Sequence, residues 1–191
     1  MDCLADPVFD IVELIFFAAD FDFVPLRADV NEIDAGVPGL PLAIVRPEML
    51  VTLIESTKKK AGFLREAAAE LGLSNVTVLA ERAEDVGQSR RRESFDIVVA
   101  RAVAELVWLA EWCLPLAKIG GAMLAMKGER AAAELPAATA AARRLGGDAP
   151  LVYPVTLPGT QHHVIVELHK RRATELRYPR PATLAKGKPL R

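Results

Sequence analysis

The chain has only two cysteines in 191 residues, Cys3 and Cys113, with no CxxC spacing between them. That pattern provides neither a disulfide framework nor a zinc site and suits a reducing, cytoplasmic compartment. His162 and His163 read as surface residues, because no second ligand cluster stands at a suitable spacing, so no metal is expected. Long apolar runs are also missing. The nearest, "IVELIFFAA", is too short to span a bilayer and contains Glu13, and the N-terminus offers Asp2 and Asp6 in place of a basic leader. No membrane association is expected. Aromatic residues make up 6% of the chain and are unevenly placed: five of seven phenylalanines (Phe9, Phe16, Phe17, Phe21, Phe23) fall in residues 1–36.

What remains is a globular composition, 51% apolar and 26% charged, long enough for one well-buried domain. The net charge of −1 conceals an asymmetry: nine acids and one base in residues 1–36, eight bases and one acid in residues 169–191. The basic end is open to two readings, a solvated tail or a polyanion contact. Tyr178 among Lys170, Arg171, Arg172, Arg177, Arg180, Lys186, Lys188 and Arg191 suits phosphate contacts with a stacking ring, which makes RNA a candidate partner.

From residue 37 onward the pattern alternates as a parallel α/β sheet requires. "VTLIES" (51–56), "NVTVLA" (75–80) and "FDIVVAR" (95–101) read as strands, with a helix at 58–73 closed by Gly72. A helix at 105–117, a strand at 120–128 and an Ala-rich helix at 129–147 interrupted by Pro136 follow, then an antiparallel pair at 150–157 and 162–170. In a doubly wound sheet the ligand site lies at the carboxyl ends of the strands. Here those ends carry the turn at residues 34–39, Glu55, and "RAED" (82–85). A carboxylate ending the second strand can accept hydrogen bonds from both ribose hydroxyls, although a lone acid there is more often a solvated end or a helix cap.

Several blocks in order resemble the ribosomal RNA small-subunit methyltransferase G family, also called glucose-inhibited division protein B. They are "AGVPGLPLAIVRPEMLVTLIESTKKKAGFLREAAAELGLSNVTVLAERAED", "FDIVVARAVAELVWLAEWCLPLAKIGGAMLAMKG", "HHVIVELHKRRAT" and "YPRPATLAKGKPL". The resemblance implies an α/β, Rossmann-like class I S-adenosylmethionine-dependent methyltransferase with a seven-stranded sheet whose last strand is antiparallel. It implies N7-methylation of a guanine in 16S ribosomal RNA, with the RNA or the small ribosomal subunit as partner and a monomer as the working state. Carried over residue by residue, Gly36, Val37, Glu55, Ala83, Glu84 and Arg101 would bind the cofactor, and Arg101 would also serve catalysis. Lys127 and the tail residues Lys170, Arg171, Arg172, Arg177, Arg180, Lys186 and Lys188 would face RNA. From the residues alone, a salt bridge from Arg101 to Glu84 or Glu105 is the stronger reading, and Lys127 could sit on a solvated strand end. Trp108 and Trp112, four apart on an apolar helix, read as core packing.

The resemblance implies three regions: an atypical segment 1–34, a methyltransferase-like domain 35–170 and a basic tail 171–191. The family's loop reads approximately "DVGSGAGFPG", whereas this chain has "DVNEIDAGVPG", one residue longer and without the first two glycines. Side chains there would occupy space that glycine leaves for a ligand. A shifted frame or start upstream of Ala35 would account for this and for the phenylalanine excess. Two competing expectations follow: an RNA-binding remnant that no longer holds the cofactor, and a nicotinamide-dependent dehydrogenase on a similar sheet.

Overall fold

The computed structural model describes residues 36–101, 104–156 and 162–190, together with the backbone of Glu13–Phe17. Strands β1 (Glu13–Phe17), β2 (Leu50–Ile54), β3 (Val76–Leu79), β4 (Phe95–Arg101) and β5 (Ala117–Lys127) pair in parallel. β7 (Val164–His169) lies antiparallel between β5 and β6 (Leu151–Pro154), so the sheet is mixed, in the order β3-β2-β1-β4-β5-β7-β6. Helices α1 (Gly39–Val45), α2 (Lys58–Glu70), α3 (Ala83–Gly87), α4 (Leu106–Cys113) and α5 (Ala131–Leu145) cover its faces, and α6 (Ala182–Gly187) ends the chain's last turn.

The period of two along each strand divides the core. Val98 and Ala100 of β4 join Met123 and Ala125 of β5 against Leu106, Leu109, Ala138 and Leu145 of α4 and α5. On the other face Val51, Leu53 and Val99 pack on Leu40, Ala43, Leu64 and Ala68 of α1 and α2. Burial on both faces is the reason these strands read as continuous apolar runs. Each fully buried Leu or Val contributes about 1.5–3 kcal/mol.

Two boundaries differ from the sequence expectation. The helix expected at 105–117 stops at Cys113, and Ala117 already pairs with Phe95 as strand. Leu114 and Leu116 are wholly buried in the connection, so the apolar run continues across the helix end and hides it. Pro136 does not interrupt α5, which is continuous. The bond it removes would have reached the first-turn carbonyl of Ala132, leaving the rest of the ladder intact. Cys113 is buried and its thiol is pushed up by burial, which keeps it protonated and unreactive. Cys3 and the atypical segment 1–34, apart from the β1 backbone, lie outside the described residues.

The basic end is not a solvated tail. Lys170 is completely buried, and its ammonium donates to the carbonyl of Leu114, to Thr174 Oγ1 and to Glu93 Oε1. Thr174 donates through Oγ1 to the Leu145 carbonyl and through its amide to Glu93. Arg92, from the arginine-rich α3–β4 loop, holds the next stretch by donating to the carbonyls of Thr174, Glu175 and Tyr178. Gly146 closes α5 with φ of 89°, and a Cβ there would stand 2.2 Å from the Arg172 carbonyl oxygen, so only glycine allows the strap formed by residues 170–181 to cross the helix end.

Burial alone would raise the Glu93 carboxyl, but the Thr174 amide and the Lys170 ammonium outweigh it and hold the group below its ordinary 4.5. A depressed carboxylate stabilises the fold fully above its unfolded value and loses that contribution as pH falls through the folded value. Urea unfolding between pH 6 and pH 3 is therefore expected to show an acid loss of stability beginning below about pH 4.5. Glu93→Gln should flatten that limb. An identical acid limb in the variant would remove Glu93 from the account.

Candidate functional site

Strand register assembles the site. Phe17 pairs with both Ile54 and Ala100, Ile54 pairs with Leu79, and Arg101 pairs with Met126. Glu55, Arg101 and Lys127 therefore emerge on one rim, at the carboxyl ends of β2, β4 and β5. The Glu55 amide donates to the Leu79 carbonyl at 3.0 Å, which ties the rim to the start of the "RAED" turn. This is the crevice where an open α/β sheet places its ligand.

Glu55 is 2% exposed. Its Oε1 accepts the Thr57 amide at 2.6 Å, while Oε2 is buried with no hydrogen-bond partner among the described residues. A buried carboxylate oxygen left unsatisfied is costly, and a ligand bringing hydroxyl donors removes that cost. Ala83 is buried, and Glu84 is largely enclosed, with Arg82 only loosely beside it at 3.8 Å. Arg101 is half-buried at the β4 end. Val37 is half-buried in the turn that starts α1.

Gly36 has a different claim on glycine than a ligand cradle. Its φ is 83°, and an added Cβ would approach Leu64 Cδ2 to 2.7 Å and Leu40 Cδ1 to 2.9 Å. It lets α1 and α2 close on each other beneath the rim. The stretch "DVNEIDA" that precedes it, where side chains replace the family's glycines, lies outside the described residues.

Three of the expected RNA contacts are committed elsewhere. Lys127 pairs with Glu134 at 2.9 Å and donates to the Ala104 carbonyl at 2.9 Å, while the same Glu134 oxygen accepts the Leu106 amide. It fastens α4 and α5 to the rim. Lys170 is the buried centre of the strap. Arg180 grips the buried Glu111 through Nε at 2.6 Å and Nη2 at 2.7 Å. Tyr178, expected as a stacking ring, is 4% exposed and packs in the core, because the strap folds it inward. Arg171, Arg172, Arg177, Lys186 and Lys188 remain exposed. Trp112 is buried, Trp108 packs against the same cluster, and Lys186 lies over the Trp112 ring at 5.8 Å.

Sequence reasoning overlooked a groove of about 510 Å³ between α3 and the strap, lined by Arg82, Glu84, Asp85, Gln88, Arg177 and Pro179 among others. Gln88 donates to the Leu176 and Pro179 carbonyls and so fixes the groove's far wall. Residues 82–88 and 177–183 are separated by most of the chain's C-terminal half, and no local spacing links them.

A family model described as "rRNA small subunit methyltransferase G" matches residues 19–164. The Roseiflexus sp. (strain RS-1) protein named ribosomal RNA small subunit methyltransferase G is 48% identical over 157 residues, covering 82% of this chain and 67% of its own. The Deinococcus radiodurans protein of that name is 49% identical over 158 residues, covering 82% and 62%. The chain thus spans about two thirds of the length of the curated relatives it matches. Among solved structures, the W203A mutant of the 16S rRNA (adenine(1408)-N(1))-methyltransferase from Catenulisporales acidiphilia, with cosubstrate SAM, superposes with a TM-score of 0.63 at 15% identity, over 86% of this chain and 87% of that one. TYW2 of M. jannaschii, in complex with AdoMet, gives 0.58 at 18% identity, over 83% and 68%. At such identities the likeness is one of fold: an α/β methyltransferase fold with a mixed sheet.

Proposed function

The chain belongs to the rRNA small subunit methyltransferase G family, and on that footing we propose that it moves the methyl group of S-adenosylmethionine to N7 of a guanine in 16S ribosomal RNA. The sheet is read here as the seven-stranded class I arrangement, with its last strand antiparallel. The observation that carries the cofactor half of the proposal is Glu55 Oε2, a buried acceptor on the rim without a donor among the described residues.

Bound S-adenosylmethionine would supply an electrophilic sulfonium methyl. The chain's own task is to bind, orient and enclose. Glu55 accepts the ribose hydroxyls, Ala83 and Glu84 form the wall toward the base, and Val37 and Gly36 shape the turn beneath. Arg101 orients the reacting partners from the end of β4. Guanine N7 presents an unprotonated lone pair at neutral pH, so no side chain has to create the nucleophile, and placement with a suitable field supplies much of the rate. Among the described residues no helix is long and apolar enough to cross a membrane. A cytoplasmic monomer acting on the RNA or the small subunit is the working picture.

The test is methyl transfer to small subunits from a strain lacking the modification, with label located at the guanine. Folded protein that leaves the subunits unlabelled and gives no calorimetric signal with S-adenosylhomocysteine would identify a remnant that has lost the cofactor.

A further inference from the structure

We infer that the pole of the sheet opposite the candidate site is an additional RNA-docking surface, where arginines from three separate segments grip phosphates far from the reacting base. The inference rests on the proposed action on ribosomal RNA.

The pole is defined by backbone geometry. β4 begins at Phe95 beside Ala117 of β5, and the Lys170 amide and carbonyl bond Gly121 and Gly120 at that same amino end. Arg101, at the other end of β4, marks the candidate rim. The seven residues of β4 put the two about 20 Å apart at roughly 3.3 Å per residue.

Around buried Lys170 the chain gathers three basic stretches. Glu93 and Thr174, both bonded to Lys170, bring the α3–β4 loop with Arg90 and Arg91 against the strap. The Thr174 hydroxyl reaches Leu145, at the end of the helix that carries Arg143 and Arg144. Arg172 donates to the Arg143 carbonyl at 3.1 Å. Lys170 is thus the nail that holds the arginines in place.

Neighbouring acids are already engaged: Asp148 with Arg171, Asp96 with Lys118, Glu93 with Lys170, Glu175 with Arg177. Arg90, Arg91, Arg143, Arg144 and Arg172 have no carboxylate partner among the described residues, and all but the half-buried Arg91 are exposed. The α5 dipole accounts for a cation at Arg143 or Arg144 but not for those on the loop and the strap. All five are arginines, whose planar fork matches phosphate oxygens in pairs. Leu176, 80% exposed, stands on the strap beyond them. From there the strap continues to Arg177, which shares the groove with Arg82 and Glu84. A basic track therefore runs from the far pole to the candidate cofactor rim. An RNA that touches both ends must be a folded element, because the spacing exceeds the reach of the target nucleotide alone.

The experiment compares the parent chain with the combined variant Arg90→Ala, Arg143→Ala, Arg144→Ala, Arg172→Ala, and with the matching Arg→Lys set. Binding is measured to a 16S rRNA transcript and to a short single-stranded oligonucleotide at several salt concentrations. The alanine set should weaken transcript binding at least about tenfold and lower the salt slope by about 3, four contacts at roughly 0.7–0.9 each. The lysine set should keep the slope. Oligonucleotide binding, thermal midpoint and S-adenosylhomocysteine binding should match the parent. Unchanged transcript affinity and slope in the alanine set would overturn the inference. A parent chain that binds the transcript with this arginine dependence but transfers no methyl group would sink the proposed activity and leave the docking surface standing.

Discussion

Glu55→Gln is expected to weaken S-adenosylhomocysteine binding about a hundredfold while leaving the folded chain at least as stable as the parent. The two effects have opposite signs for one reason. Oε1 is satisfied by the Thr57 amide, and a glutamine carbonyl oxygen can take that bond over. Oε2 has no partner among the described residues, so the folded protein alone bears the cost of a buried, half-satisfied carboxylate. Making the side chain neutral relieves part of that cost. With ligand present the balance inverts, because hydrogen bonds from two hydroxyls to an ionised acceptor contribute about 1.5–3 kcal/mol each and an amide cannot accept both. A net loss of about 3 kcal/mol corresponds to roughly two decades in affinity. Calorimetry and a thermal scan on the same preparations read both arms. A variant that unfolds earlier and binds as well as the parent would make Glu55 a structural residue.

The rim was legible in the sequence because strand ends are set by local patterns. "VTLIES" announces both a buried strand and the acid that ends it, and the helix that follows fixes where the chain turns back. Register then places Arg101 and Glu55 together without any contact between them having been foreseen. The charges were harder. A run such as "HKRRATELRYPRP" reads from composition as a solvated tail or a polyanion contact, exposed in either case, yet Lys170 and Arg180 within it are the most withdrawn cations of the strap. Their burial is decided by partners at Leu114, Glu93 and Glu111, residues remote in sequence that no spacing rule connects. Arg92 shows the same limit: in "SRRRES" it is one of three equivalent arginines, and only the folded chain points its guanidinium at three strap carbonyls.

Arg180→Ala should cost about 3–5 kcal/mol of stability, far more than a surface arginine would. Glu111 is wholly buried on α4, and the Arg180 side chain is 22% exposed. Both carboxylate oxygens are taken by the guanidinium, and Oε1 also accepts the Arg180 amide at 3.1 Å. Truncating the arginine leaves that carboxylate charged and unpaired inside the protein. Arg180→Lys recovers little, because an ammonium cannot bridge two oxygens in the plane of a fork. Removing both ends together, with Glu111→Leu and Arg180→Met, should restore most of the loss, since a buried ion pair is weak evidence of net stability while a broken one is costly. Urea unfolding of the parent, Arg180→Met, Glu111→Leu and the double variant closes the double-mutant cycle, and a coupling of about 2 kcal/mol or more is expected for groups this close. Additive single losses would mean that the strap is held by its other bonds. A strong coupling would make this pair the hinge pin that carries Arg177 and the groove it lines to the candidate cofactor rim.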